Sequence, residues 1–293
     1  MMRCCAFGTV RMDIHIYDQL TQLKDCDEIK VNDMVFKVGG SVYNTVAVLN
    51  ELKQNIVFYT LNITDDVSDY LKLKMINRSI AFVTSKHEKN STATSIIFVS
   101  DDGNKKMISY DGKRQDSHIL KKLLINIGNY DLFYTSFYEI NRENLDIIIE
   151  VMHNSCQCFV DLTPLIYEAE ASLLDSVLAN VQILSGTDEE YNTLLMKLNI
   201  SSIEELFETY RFLYLFVKQG GKGASLYYPK GVINCSPDDI KKSRDTTGCG
   251  DTFNAGVIYA LSQGYNEKDM LKKAVELASI VAYNGFDLDL FDC

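Results

Sequence analysis

The sequence predicts an α/β protein in which a mostly parallel sheet lies between layers of helices, and three observations carry that prediction. From residue 118 onward, short apolar runs alternate regularly with amphipathic helical stretches, at the interval that parallel strands with crossover helices require. Two glycine-bearing turns, Gly39-Gly40 and Gly248-Cys249-Gly250, each lead straight into a helical pattern. Of the 293 residues 46% are apolar, ample for a core, with no run near the roughly 18–20 apolar residues of a membrane span.

Taken in order, the first strand is expected at 4–8, and Asp13 falls just past it, where open α/β sheets place ligand-binding groups. A turn carboxylate is the plainer reading of Asp13 alone. Residues 14–38 alternate and carry charge, as thin strands and turns do. Gly39 and Gly40 permit a tight turn or the close approach of a ligand. Ser41 is placed to cap a helix whose Val42, Val46 and Leu49 share a face, and Asn44 sits in its first turn. An amide both donates and accepts, which suits a ligand bearing hydroxyls. Strands at 56–60 and 81–84 flank a helix at 66–76 with Val67, Leu71 and Met75 in phase. Residues 92–100 and 106–110, joined by a bend at 101–104, read as a β-hairpin. Beyond them, strands at 131–135, 157–161, 181–185 and 212–218 alternate with helices at 117–126, 141–153, 168–179, 188–197 and 202–210. A last helix runs from 267 to about 283. No repeat, low-complexity run or linker interrupts the pattern, so one domain over 1–293 is expected.

Charge narrows the partners. With 29 basic against 40 acidic residues the net charge is −11, which argues against nucleic acid and anionic membranes. The N-terminal apolar stretch is too short for a signal peptide, so a cytoplasmic location with free thiols is expected. The eight cysteines form no Cys-x-x-Cys pair; Cys156 and Cys158, two apart, are expected on one face of a strand, and no zinc site is read from them. A dinucleotide oxidoreductase is disfavoured because no Gly-x-Gly-x-x-Gly follows the first strand.

The chemistry concentrates in Asp245-Thr246-Thr247-Gly248-Cys249-Gly250-Asp251-Thr252-Phe253-Asn254. Two glycines bracket a small residue, an acid follows, and Phe253, Val257, Ala260 and Leu261 then keep helical phase until Gly264, at a C-cap position. Backbone N–H groups at such a helix start favour an anion. An acid inside that anion site makes sense if the anion arrives beside a group whose proton the acid takes; a simple N-cap is the alternative.

This run closely resembles the C-terminal signature of the ribokinase-like (PfkB) carbohydrate kinases, with Cys249 where alanine is usual. The resemblance implies a three-layer α/β/α sandwich with a small β-sheet lid, its strands drawn from about 12–38 and 92–110. It implies ATP-dependent phosphorylation of a sugar hydroxyl, with Asp251 as catalytic base and the amides of Gly248, Cys249 and Gly250 holding the transferring phosphoryl group. Val38-Gly39-Gly40-Ser41-Val42-Tyr43-Asn44 resembles the family's N-terminal signature, which implies sugar contacts from Asp13, Gly39, Gly40 and Asn44. Thr187-Asp188-Glu189-Glu190 stands where the family has Asn-x-x-Glu, which implies a magnesium role for Glu190 and a phosphate-side place for Thr187. The turn Lys218-Gln219-Gly220-Gly221-Lys222-Gly223 lacks P-loop spacing and reads as a hairpin turn. In the family this turn lies beside the nucleotide, which implies contacts from Lys218, Gly220, Lys222 and Gly223. The implied cofactors are ATP and magnesium, with potassium a further candidate; the implied partners are a small sugar and a second copy of the chain through the lid. Thr187 in place of Asn, and Val42-Tyr43 in place of small residues, keep a fructosamine kinase (fructoselysine type) as the runner-up, with a nucleoside kinase and a catalytically silent sugar-binding regulator as further alternatives.

Overall fold

In a computed structural model, residues 2–17, 30–31, 33–63, 65–87, 92–99, 105–112, 117–125, 127, 130–237 and 246–291 are described. The strands are β1 (Cys4–Phe7), β2 (Arg11–Tyr17), β3 (Asp33–Gly39), β4 (Ile56–Ile63), β5 (Phe82–His87), β6 (Thr94–Val99), β7 (Lys105–Tyr110), β8 (Leu132–Ser136), β9 (Cys158–Asp161), β10 (Ile183–Thr187), β11 (Tyr214–Lys218), β12 (Ala224–Tyr228) and β13 (Gly231–Cys235). The helices are α1 (Ser41–Glu51), α2 (Asp66–Asn77), α3 (Ser117–Leu124), α4 (Leu145–His153), α5 (Ala171–Leu178), α6 (Asp188–Leu198), α7 (Ile203–Tyr210), α8 (Cys249–Gln263) and α9 (Glu267–Asn284).

A 9-stranded sheet runs in the order β13-β12-β11-β10-β9-β8-β1-β4-β5. It is parallel from β5 to β11, and β12 and β13 add antiparallel at one edge. Strand alternation splits its side chains between two cores. Ala6, Tyr134, Phe159, Ile183 and Phe216 join the core under α1, α8 and α9, whereas Phe7, Phe133, Val160, Leu184 and Val217 join the core under α3 to α7. The expected three-layer α/β/α architecture is therefore present. From β1 the chain builds outward through β4 and β5, then returns to the other side of β1 with β8, so the strand order reverses at the β1–β8 junction. Such reversals open a crevice at the carboxyl ends of the strands.

A second, 4-stranded sheet has the order β3-β2-β6-β7. It leaves the main sheet through Gly8–Val10 and rejoins it where β3 runs through Gly39 and Gly40 into α1. The expected hairpin is the antiparallel β6–β7 pair; its bend at 101–104, and much of 14–38, lie outside the described residues.

Several local expectations are corrected. Asp13 lies inside β2, because the strand opening the second sheet starts two residues before it. Ser41 is the first residue of α1 rather than its cap: Gly40 holds the N-cap position, and the Ser41 hydroxyl is used elsewhere. Val67 is exposed while Ser68 takes the inward position with Leu71 and Met75. Cys156 is exposed in the loop before β9, and Cys158 alone is buried in the strand. β13, an exposed edge strand, was not anticipated. Cys4, Cys5, Cys156 and Cys158 are free thiols, and among the described residues no helix is long and apolar enough to cross a membrane.

Candidate active site

The crevice at the strand reversal is closed on one side by the starts of α1 and α8. Both helices begin at glycine, Gly40 and Gly248, without a side-chain cap. Gly248 has φ 78°, a left-handed conformation that side chains disfavour, and a methyl group there would overlap the Phe286 ring. That conformation turns the chain so that Cys249, Gly250 and Asp251 form the first turn of α8. The Cys249 N–H donates back to the Thr246 carbonyl at 3.2 Å, so this amide is engaged within the loop itself. Asp245, the first residue of the signature, lies outside the described residues.

Asp251 is the meeting point of chain segments more than 200 residues apart. Its Oδ1 accepts from Ser41 Oγ and its Oδ2 from Asn44 Nδ2, each at 2.7 Å. Beneath it, Asn254 Nδ2 donates to the Tyr134 hydroxyl at 3.2 Å. That hydroxyl lies 3.1 Å from Thr45 Oγ1, which is itself 3.1 Å from the Asp251 carbonyl oxygen. These contacts fix the carboxylate's orientation from two helices and a strand. Burial pushes its pKa up to about 6, against the pull of Asn44 and Ser41; Asp161 adds to the rise and Lys218 opposes it.

Asp13 comes to the same crevice from β2. Its carboxylate lies over Gly39, where a methyl group would overlap it, so the glycine makes room for the chain's own acid. Burial raises the Asp13 pKa to about 6, with Arg11, Ser95 and Lys37 pulling the other way. Its Oδ1 is buried without a hydrogen-bond partner, an open acceptor.

On the far side stand the ends of β9, β10 and β11. Asp161, Thr187 and Lys218 continue the alternation of Phe159, Ile183 and Phe216, and so project on the α8 side of the sheet. Lys218 Nζ donates to Asp161 Oδ1 at 2.7 Å. Thr187 and Glu190 form a reciprocal capping box on α6: the Thr187 N–H donates to Glu190 Oε2 at 2.8 Å, and the Glu190 N–H to Thr187 Oγ1 at 3.3 Å. Glu190 is buried and its pKa raised, chiefly by burial, with Lys218 opposing. Gly220, Lys222 and Gly223 form the exposed β11–β12 turn as expected, closed by a bond from Gln219 N–H to the Gly223 carbonyl at 2.8 Å.

The geometry thus gathers Asp13, Gly39, Asn44, Asp251 and the Gly248–Gly250 turn, with Lys218 alongside. It leaves Thr187 and Glu190 engaged with one another through the capping box, with Lys222 at the surface. Sequence reasoning missed Ser41 as a donor to Asp251, Asp161 as the partner of Lys218, and Tyr138. The last stands half-exposed after β8, close enough for the charges of Asp251, Glu190, Arg11 and Asp161 to bias its phenol. An acid closing a buried strand, as in Cys158–Asp161, was the available signal for the second of these.

The chain matches the pfkB family carbohydrate kinase profile over residues 1–285, and it belongs to that family. It is 26% identical over 250 residues to the ribokinase of Bacillus subtilis (strain 168), covering 84% of this chain and 73% of that protein. Among solved structures it is similar to the ribokinase of Thermotoga maritima, with TM-score 0.80 and 19% identity over 99% of this chain and 96% of that one. It is also similar to the nucleoside kinase of Methanocaldococcus jannaschii, with TM-score 0.81 and 18% identity over 96% of this chain and 92% of that one. The chain is accordingly a phosphotransferase of the pfkB carbohydrate kinase family.

Proposed function

We propose that this kinase transfers the γ-phosphoryl group of ATP to a hydroxyl of a small sugar, with Asp251 as the base. The observation that carries this reading is a buried carboxylate with pKa about 6, aimed by Ser41 and Asn44 at the start of a helix that has no side-chain cap. In the step, the acceptor oxygen forms a bond to the γ-phosphorus while the bond from phosphorus to the β–γ bridging oxygen breaks. The electron pair leaves with ADP, and the hydroxyl proton passes to Asp251. A base of that strength suffices, since phosphoryl transfer has a loose transition state in which the nucleophile's proton becomes acidic late. The Gly248 and Gly250 amides, with the α8 dipole, receive the negative oxygens; Cys249, engaged with Thr246, shapes the turn.

The open Asp13 Oδ1 and the Asn44 amide orient the sugar, with Gly39 and Gly40 keeping the backbone close. The nucleotide lies along Thr187, Lys218 and the Gly220–Gly223 turn. Among the described residues no three His, Cys, Asp or Glu side chains cluster as a metal site. Glu190 nevertheless fits a magnesium ion that arrives with the nucleotide and keeps its own waters, because Thr187 engages one carboxylate oxygen and leaves the other. Magnesium, when bound, would neutralise phosphate charge there. The second sheet serves as the lid of a single kinase domain. Its outer strands expose Met34, Phe36, Met107 and Ile108, the surface on which a second copy would pair.

An ADP-release assay over free sugars, nucleosides and fructosyl amino acids tests the reading, with magnesium and potassium omitted in turn. A free sugar giving the highest kcat/KM supports it. A fructosyl amino acid or a nucleoside giving the highest value moves the assignment to that class. Release with none, by protein that still binds sugar, points to a silent regulator.

A further inference from the structure

We propose that Lys218 Nζ, anchored by Asp161 beside the start of α8, is the charged group that holds the γ-phosphate as it is transferred, and that Asp161 acts through it as a positioning residue. The inference rests on the kinase reading above and assigns the pair a specific task within it.

The pair is almost closed to solvent: the Lys218 side chain is 13% exposed and that of Asp161 6%. Burying two charges carries a desolvation penalty, and such a pair is weak evidence for stability by itself. The fold does not require it there, since an apolar pair would continue the alternation of Phe159 and Phe216. Lys218 is moreover on the wrong side of a helix dipole. A methyl group placed on Gly250 would lie 3.4 Å from Nζ, which puts the ammonium against the first turn of α8. The helix end already carries about half a positive charge, so a cation there is repelled. Asp161 offsets part of that repulsion, and an arriving anion removes the rest. Two positive sources converging on one point form a phosphate site waiting for its third member.

The donor count agrees. An ammonium has three N–H bonds, and among the described residues Asp161 is the single hydrogen-bond partner of Lys218 Nζ. The absence of a Cβ on Gly250 leaves the space between Nζ and the helix amides open. Asp251 belongs to the same turn, its carboxylate held from α1 by Ser41 and Asn44, so a phosphoryl group held here would lie between the ammonium and the hydroxyl that Asp251 deprotonates. The β-phosphate and the ribose would lie further out, toward the Gly220–Gly223 turn.

Calorimetric titration of the full-length protein with ADP and with the non-hydrolysable analogue AMPPNP, both with magnesium, tests this without knowing the acceptor. Wild type is expected to bind AMPPNP more tightly than ADP. Lys218→Met is expected to abolish that preference, weakening AMPPNP about tenfold or more while ADP changes less than about threefold, the loss of roughly one charge-assisted contact. Lys218→Arg should keep most of the preference. Asp161→Asn should lose it as Lys218→Met does, and the double variant should be no worse than either single, since the two act as a unit. Equal weakening of both nucleotides, or an intact preference in Lys218→Met, would overturn the inference while leaving the kinase reading in place. Failure of wild type to bind either nucleotide would overturn both.

Discussion

Two kinds of helix start coexist in this molecule. α2, α6, α7 and α9 are closed by their own side chains, with Asp65, Thr187, Ser202 and Asn266 each accepting an N–H from the first turn. α1 and α8 begin at glycine and have no side-chain cap. The first group satisfies its orphan donors locally, as helices do for stability. The second group converges on Asp251, whose carboxylate Ser41 and Asn44 of α1 hold at the start of α8. A missing cap alone does not mark the chemistry, since α4 and α5 also start without one; the glycine starts of α1 and α8, brought together at Asp251, do.

Breaking the incomplete side should have the larger effects. Asp251→Asn is expected to lower turnover by roughly 10²–10⁴, the usual range for loss of a general base, with nucleotide affinity nearly unchanged. A steady-state assay beside nucleotide titration reads this, and turnover within threefold of wild type would remove Asp251 from the step. Gly248→Ala forces a side chain into a left-handed conformation and against Phe286, at a cost of about 1–3 kcal/mol. Thermal melting should show a drop of several degrees. An unchanged midpoint would mean that the turn relaxes freely.

The self-capped side should respond more mildly. Thr187→Ala removes the α6 cap and is expected to cost about 1 kcal/mol of stability. If nucleotide affinity falls along with it, Thr187 has a ligand role beyond the cap; if only the melting temperature moves, the capping box is its whole contribution.

Burial of the two crevice acids makes a further difference visible through pH. Asp13 and Asp251 are each raised from 3.8 to about 6, so the folded state holds these protons more tightly than the unfolded chain. Their contribution is most favourable below about pH 4 and is lost as pH rises through 6. Asp251→Asn should therefore melt a few degrees above wild type at pH 7.5, and the gap should close toward pH 4. A gap that stays constant with pH would contradict the assigned burial. A variant both less active and more stable is what a site under electrostatic tension produces.

How much of this the sequence discloses follows from the range of each interaction. The α8 start was legible because its glycines and acid are neighbours in the chain, and the alternation after residue 118 was legible because strand and helix periods are local. The convergence of Asp13, Asn44 and Asp251 was expected only through the family resemblance, since no local pattern joins residues that far apart. Ser41 was misread because whether a hydroxyl caps its own helix or reaches another depends on what packs opposite. The Asp161–Lys218 pair was invisible for the same reason: the register of β9, β10 and β11 brings the two together across 57 residues. β13 escaped notice because an exposed edge strand lacks the apolar run that marks buried ones.

The most direct test is the acid limb of kcat/KM for the phosphoryl acceptor, measured with saturating magnesium nucleotide and an acceptor that does not titrate between pH 5 and 8. With Asp13 and Asp251 both required ionised, wild type should fall below about pH 6 with a slope approaching two, and the residual activity of Asp251→Asn should keep only the slope of one owed to Asp13. The same limb in both proteins would contradict the account.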